Sequence, residues 1–325
     1  MAAAKTAMGN STVPGPKDLS GMSADQLREF LNSFDVVLSD CDGVLWNLNV
    51  LIPGAVQALN RLQDIGKRVY LVSNNSLVPY SRYEQKTKSG GMDLKKDQLI
   101  NPSKVIAWYL KKVHFHGKAF VIASKAFRQV LAEHGIDMLP ESFPPTNEDN
   151  VEDSIRNLFN VGSTKAVIVD FSITDGWTKL VHAINCLAKE DVLYLSGASD
   201  EWLPLGNDKK ILGCKHLNDL ISHYSGRTPI MCAKPSSVLG DCVRETCQIN
   251  DPKRCLFIGD MISTDMIFAA ECGFQKLLVE TGVDKIEDAL GDVKTRPDYY
   301  ASSLRSLLDG IDQLSNETAG RENSR

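Results

Sequence analysis

Four apolar runs in this chain each stop at a short polar motif. Val36-Val37-Leu38-Ser39 runs into Asp40-Cys41-Asp42-Gly43, and Val69-Tyr70-Leu71-Val72 into Ser73-Asn74-Asn75-Ser76. Pro229-Ile230-Met231-Cys232 precedes Ala233-Lys234-Pro235-Ser236, and Cys255-Leu256-Phe257-Ile258 precedes Gly259-Asp260. Runs of this length and branching, bounded by turn formers, read as buried strands. They alternate with helix-like segments through residues 35–110 and again through 229–310. That alternation predicts a parallel sheet with helices on both faces. In open sheets of this kind the ligand site lies beyond the carboxyl ends of the strands, where all four motifs fall.

The first motif carries the most chemistry. Asp40 and Asp42 point to the same side of an extended backbone, so both can face one small ligand. Gly43 supplies the freedom for the tight turn that follows. Like charges this close call for a cation or a shared proton between them. A nucleophilic carboxylate beside a general acid, with Mg²⁺ between protein and phosphate, suits such a pair. Taken alone, the pair also fits two carboxylates capping a turn.

With the motifs in this order, the chain resembles the haloacid dehalogenase (HAD) superfamily, in particular its phosphoglycolate phosphatase, pyridoxal phosphatase and 4-nitrophenylphosphatase branch. The segments that carry the resemblance are DCDGVLWNLNVLIPGA (40–55), SNNS (73–76), AKPSSVLGDCV (233–243) and GDMISTDMIFAAECG (259–273). It runs from about residue 34 to about residue 310. It implies an α/β fold: a Rossmann-like core with a parallel sheet and an inserted α/β cap of the C2 type between the second and third motifs. The expected division is a disordered tail over 1–22, core over 23–112, cap over 113–228, core over 229–313 and a second disordered tail over 314–325. Order is expected to begin at Ser23, which can cap a helix with Gln26 three residues on.

The resemblance also assigns roles. Asp40 is expected to attack phosphorus and form an aspartyl-phosphate that water then hydrolyses. Asp42 is expected to protonate the leaving alcohol and later deprotonate water, which needs a carboxyl raised toward neutrality. Asp40, the backbone carbonyl of Asp42, and Asp260 are the expected Mg²⁺ ligands, with Asp265 orienting Asp260 or water from behind. Asp265 also fits a helix N-cap. Ser73 and the backbone around Asn74 and Asn75 are expected to donate to the phosphoryl oxygens, and Lys234 to offset their charge.

The implied activity is Mg²⁺-dependent hydrolysis of a small phosphomonoester, 2-phosphoglycolate first, with 4-nitrophenyl phosphate accepted in vitro. Pyridoxal 5′-phosphate and phosphoproteins are the alternative substrates. A catalytically silent binding protein of HAD fold is the alternative from another class. Departures from the family pattern fall at Leu77-Val78, Ala233, Ser263 and the cap segment Gly197-Ala198-Ser199-Asp200. They spare every catalytic group and lie where a substrate would be read. Trp177 and Trp202 fit the substrate site, a cap–cap interface or ordinary cap core.

Composition narrows the partners. A net charge of −5 over 325 residues, with no dense Lys/Arg run, argues against nucleic acid. No apolar stretch approaches the roughly 20 residues of a membrane span. The eight cysteines contain no CxxC pair and several sit in apolar segments. They read as small buried hydrophobes in a reducing, cytoplasmic setting. His114 and His116 lack a third nearby metal ligand. The resemblance also implies, as an expectation, a homodimer paired through the cap.

Overall fold

The computed structural model describes residues 15–147, 149–174, 176–198, 200–204 and 209–322. In chain order the strands are β1 (Lys17–Asp18), β2 (Val36–Ser39), β3 (Trp46–Asn47), β4 (Val50–Leu51), β5 (Arg68–Val72) and β6 (Leu99–Ile100). Then follow β7 (Lys118–Ile122), β8 (Thr164–Val169), β9 (Leu193–Ser196), β10 (Trp202–Pro204), β11 (Lys210–Leu212) and β12 (Ile230–Met231). The last three are β13 (Cys255–Gly259), β14 (Gln275–Val279) and β15 (Tyr299–Ala301).

Seven strands form one sheet in the order β1-β15-β14-β13-β2-β5-β6, all in parallel. Every residue of β2 is buried, as a continuous apolar run covered on both faces requires. Apolar layers on the two faces come from opposite sides of each strand: Val37 packs in one cluster, Val36 and Leu38 in the other. Because β2 lies between β13 and β5, Asp40 emerges beside Asp260 on one flank and Ser73 on the other. The registers that set this are Ile258↔Ser39 and Ser39↔Leu71. A bond of 2.9 Å from the Asp40 amide to the Ile258 carbonyl continues the pairing one residue further.

A second parallel sheet, β12-β9-β8-β7, is formed within the stretch between the second and third motifs, with its own buried cluster around Phe120, Val167, Val169 and Tyr194. Two antiparallel hairpins, β3/β4 and β10/β11, extend from the loops near the strand ends.

Three boundaries differ from those expected. β12, which reads as the first strand of the returning core, pairs instead with β9 of the second sheet. A two-residue strand carries no signal of its partner; the crossing between sheets occurs after it, at Cys232–Lys234. Order begins before Ser23: β1 adds to the sheet edge through Lys17↔Tyr299, and Leu19 is buried. Residues 1–14 of the expected tail lie outside the described residues. Ser23 does cap its helix, accepting from the Gln26 amide at 3.3 Å while Gln26 accepts from the Ser23 amide at 2.9 Å. At the other end, a helix over Arg305–Glu322 runs through the expected C-terminal tail. Leu304, Leu307 and Ile311 are buried, Leu314 packs beside them, and Arg28 pairs with Glu317 at 3.0 Å. The helical spacing continues past residue 313, and a surface on the first helices, invisible in sequence, receives it. The last three residues lie outside the described ones.

All eight cysteines are buried and unpaired, as expected of small hydrophobes. Trp177 is 66% and Trp202 42% exposed, so neither is cap core. The Trp202 ring lies under the Lys210 ammonium at 4.3 Å. No helix among the described residues is long and apolar enough to cross a membrane.

Candidate active site

The carboxyl ends of β2 and β13 bring Asp40, Asp260 and Asp265 together, with one oxygen of each within 4.8 Å of the others. Lys234 enters from the loop after β12 and places its ammonium 2.8 Å from Asp40 Oδ1 and 2.8 Å from Asp265 Oδ1. The Asp40 side chain keeps 14% exposure, against 2% for Lys234 and 0% for Asp265. Asp40 is therefore the carboxylate a ligand can reach.

Asp265 is fully occupied. Its second oxygen, Oδ2, accepts from the backbone amides of Asp260 and Met261, both at 3.1 Å. It caps the turn after β13 from within that turn and does not cap the following helix. Asp260 is oriented by a 2.9 Å bond from the Val283 amide to its Oδ2. The close approach of the first motif fixes Gly43: its φ is +82°, and a Cβ there would stand 2.3 Å from Asp260 Oδ2. Only glycine meets both conditions.

Asp42 stands apart from the three carboxylates and faces an entrance lined by Trp46, Asn75, Val78, Arg82, Tyr83 and Lys86. The Trp46 indole N–H donates to Asp42 Oδ1 at 3.0 Å, and the Lys86 ammonium lies 4.6 Å from the Trp46 ring centre. Neither Trp46 nor Lys86 was marked by sequence reasoning; their spacing from Asp42 resembles ordinary core and surface positions.

The Asn74 and Asn75 side chains of the second motif bond to protein backbone, which leaves the expected donation by the Asn74 amide untouched. The Asn74 side chain bridges to the third motif, accepting from the Lys234 amide at 2.9 Å and donating to the Lys234 carbonyl at 3.1 Å. The Asn75 carboxamide oxygen accepts from the Leu77 amide at 3.0 Å. Ser73 Oγ accepts from the Asn75 amide at 3.1 Å and lies 3.3 Å from the Tyr83 hydroxyl, whose single proton goes to the Asn75 carbonyl at 2.6 Å. The Ser73 proton is therefore directed at the Tyr83 oxygen and would have to turn from it to serve a ligand. An amide side chain spent on the backbone 160 residues away cannot be foreseen from local sequence.

Burial lifts the Asp40 carboxyl well above its ordinary value; Lys234 pulls it down, while Asp265 and Asp260 push it further up. Asp260 is raised to about 7 by burial and by Asp265. Asp42 is raised by burial, against Lys86 and the bonds from Asn75 and Trp46. Burial works against the Lys234 charge, but Asp265 and Asp40 outweigh it and hold the ammonium above its usual range. Three carboxyl groups crowd one ammonium in a desolvated site, and full ionisation of all three is therefore disfavoured until a cation joins them. A hard divalent cation is what such an all-oxygen donor set would accept.

A family model described as haloacid dehalogenase-like hydrolase matches residues 37–137, and a HAD-hydrolase-like model matches 231–307. Human chronophin is 30% identical over 297 residues, covering 88% of this chain and 96% of its own. The 4-nitrophenylphosphatase of Schizosaccharomyces pombe is 28% identical over 292 residues, covering 88% of this chain and 97% of its own. Among solved structures, a glycerol phosphate phosphatase from Mycobacterium tuberculosis in complex with magnesium superposes with a TM-score of 0.69 at 20% identity, covering 92% of this chain and 80% of that one. At that identity the likeness is one of fold.

Proposed function

The chain belongs to the haloacid dehalogenase-like hydrolases and is a phosphoric monoester hydrolase; from that premise we propose that it removes phosphate from a small phosphorylated metabolite, with Mg²⁺, through an aspartyl-phosphate on Asp40. The observation that carries this reading is the Lys234 ammonium held between Asp40 and Asp265, beside Asp260.

In this reading Asp40, Asp260 and the Asp42 carbonyl hold the cation, which neutralises phosphoryl charge when bound. Asp265 holds Lys234 and the turn bearing Asp260. The reachable Asp40 oxygen attacks phosphorus in line. The Ser73 hydroxyl, the loop amides and Lys234 stabilise the equatorial oxygens, each contact worth roughly 3 kcal/mol in the transition state. Asp42, raised by burial, gives its proton to the leaving oxygen as the ester bond breaks. It then takes a proton from the water that attacks the phosphoenzyme, which restores Asp40.

The preferred substrate in this reading is 2-phosphoglycolate. Arg82 and Lys86 at the entrance beside Asp42 support it, because they can meet a second anionic group. Two further elements belong to the same reading. Val151, Ile155 and Phe159, spaced by four and all exposed on one cap helix, support a homodimer paired through the cap, which a mass measurement in solution tests. The eight unpaired cysteines support a reducing, cytoplasmic setting.

The test is hydrolysis of 2-phosphoglycolate, glycerol 3-phosphate, pyridoxal 5′-phosphate, 4-nitrophenyl phosphate and a phosphoserine peptide, with and without Mg²⁺. Turnover that persists in EDTA would overturn the metal-dependent reading, and the fastest substrate names the specificity. Because a metal displaces the proton that Asp260 holds below pH ~7, the Mg²⁺ concentration giving half-maximal rate is expected to rise about tenfold per unit of falling pH below that point. A flat dependence between pH 5.5 and 7 would show that Asp260 is not raised toward neutrality.

A further inference from the structure

Outside the catalytic cluster, the described residues hold one fully buried carboxylate that the chemistry above does not use. Asp170 ends β8 of the cap sheet and is 1% exposed. Its Oδ1 accepts from the Ser76 hydroxyl at 3.0 Å and from the Phe171 amide at 2.6 Å, and its Oδ2 accepts from the Ala198 amide at 3.0 Å. No ammonium or guanidinium of a described residue lies within ion-pair distance of it. Burying an unpaired carboxylate is costly unless donors surround it. Here the donors come from two different bodies. Ser76 closes the second-motif loop of the core; Gly197 and Ala198 directly follow β9 of the cap.

Two observations show that this junction is built. The cap clasps Ser76 a second time, since Ser124 Oγ at the end of β7 donates to the Ser76 carbonyl at 3.1 Å. The cap loop is also shaped around the carboxylate: a Cβ on Gly197 would stand 1.8 Å from Asp170 Oδ2. One side chain thus connects the second-motif loop of the core to Gly197 and Ala198 of the cap, which in the phosphatase reading lie on the side of the leaving group.

We propose that Asp170 and Ser76 form a positioning pair that fixes Gly197 and Ala198 of the cap against the second-motif loop and so sets how the leaving group is held over Asp42. The proposal rests on the phosphatase reading of the site and assigns neither residue a chemical step. An alkyl leaving group depends on its placement against Asp42, because its oxygen must be protonated as it departs. A 4-nitrophenolate departs readily without that help. Weakening the pair should therefore penalise alkyl esters selectively.

The experiment compares Ser76→Ala, Asp170→Asn and the double variant on 4-nitrophenyl phosphate and on whichever of 2-phosphoglycolate and glycerol 3-phosphate is turned over faster. Deleting a hydroxyl that donates to a carboxylate corresponds to about a tenfold loss in kcat/KM on the alkyl ester. On 4-nitrophenyl phosphate the loss should stay within about threefold. The double variant should lose no more than the worse single variant, because both act on one contact. Ser76→Ala removes a single hydroxyl, so it keeps the test decisive even if Asp170→Asn unfolds the cap. Equal losses on both substrates, or losses that multiply in the double variant, would overturn the pairing. Wild-type turnover of 4-nitrophenyl phosphate would stand in either case, which separates this proposal from the phosphatase reading.

Discussion

Asp40→Asn is expected to reduce phosphatase turnover by at least about 10⁴-fold on every substrate, aryl or alkyl. The amide keeps the size of the carboxylate and can still accept from the Lys234 ammonium, but it cannot form the acyl-phosphate. Stability should move the other way. Burial, Asp265 and Asp260 disfavour the ionised Asp40 in the folded state, and the substitution removes that cost. Without Mg²⁺ the variant should therefore unfold at the same temperature as the wild type or slightly higher. Steady-state rates beside a thermal unfolding curve check both halves. A variant that retains a tenth of the wild-type rate would remove Asp40 as nucleophile, and one that unfolds much earlier would remove the charge argument.

Lys234→Met is expected to damage both activity and fold. Its ammonium is the one cation seated between Asp40 and Asp265 among the described residues, and both it and Asp265 are almost completely buried. Removing one partner of a buried pair leaves an uncompensated charge, at a cost of roughly 3–5 kcal/mol. Turnover should fall by about 10²- to 10³-fold, the usual effect of losing one donor to a transferring group. The two carboxylates hold Lys234 above its usual range, so its stabilisation is fully present below the unfolded lysine value and is lost only as pH rises through the folded one. The stability gap between variant and wild type should accordingly be constant on the lysine's account across neutral pH. Adding Asp265→Asn to Lys234→Met restores charge balance and should recover part of the stability while leaving turnover low. Denaturant titration of the two variants checks this; a double variant no more stable than the single one would show that packing, and not charge, dominates the loss.

Much of the site was legible because its groups sit at strand ends. Runs such as Val36–Ser39 and Cys255–Ile258 mark strands by composition alone, and a carboxylate directly after such a run has few places to go in an open parallel sheet. The pairing of β2 with β13 then delivers Asp40 beside Asp260. The reading of Ser23 as a cap succeeded for a related reason, since a capping box is contained within four residues.

What sequence reasoning missed lies in contacts between distant segments. The Asn74 carboxamide fastens the backbone of Lys234, a contact that nothing in the local sequence marks. Trp46, unmarked in the sequence, is a buried core residue whose indole N–H also orients Asp42. β1, β12 and the last turns of the C-terminal helix looked like tail or core, because a two-residue strand or a helix end takes its place from its partner rather than from its own composition.

The chain's own pattern therefore determined the strand-end chemistry: which residues carry charge, in which order, on a parallel α/β scaffold. Those properties depend on local hydrophobicity and on side-chain type, both of which are written residue by residue. Only the tertiary structure decided which carboxylate is reachable, which amides are already spent, and how the cap loop is tied through Asp170 to Ser76. Burial and hydrogen-bond partners are properties of pairs, and such pairs as Asn74 and Lys234 lie 160 positions apart in the chain.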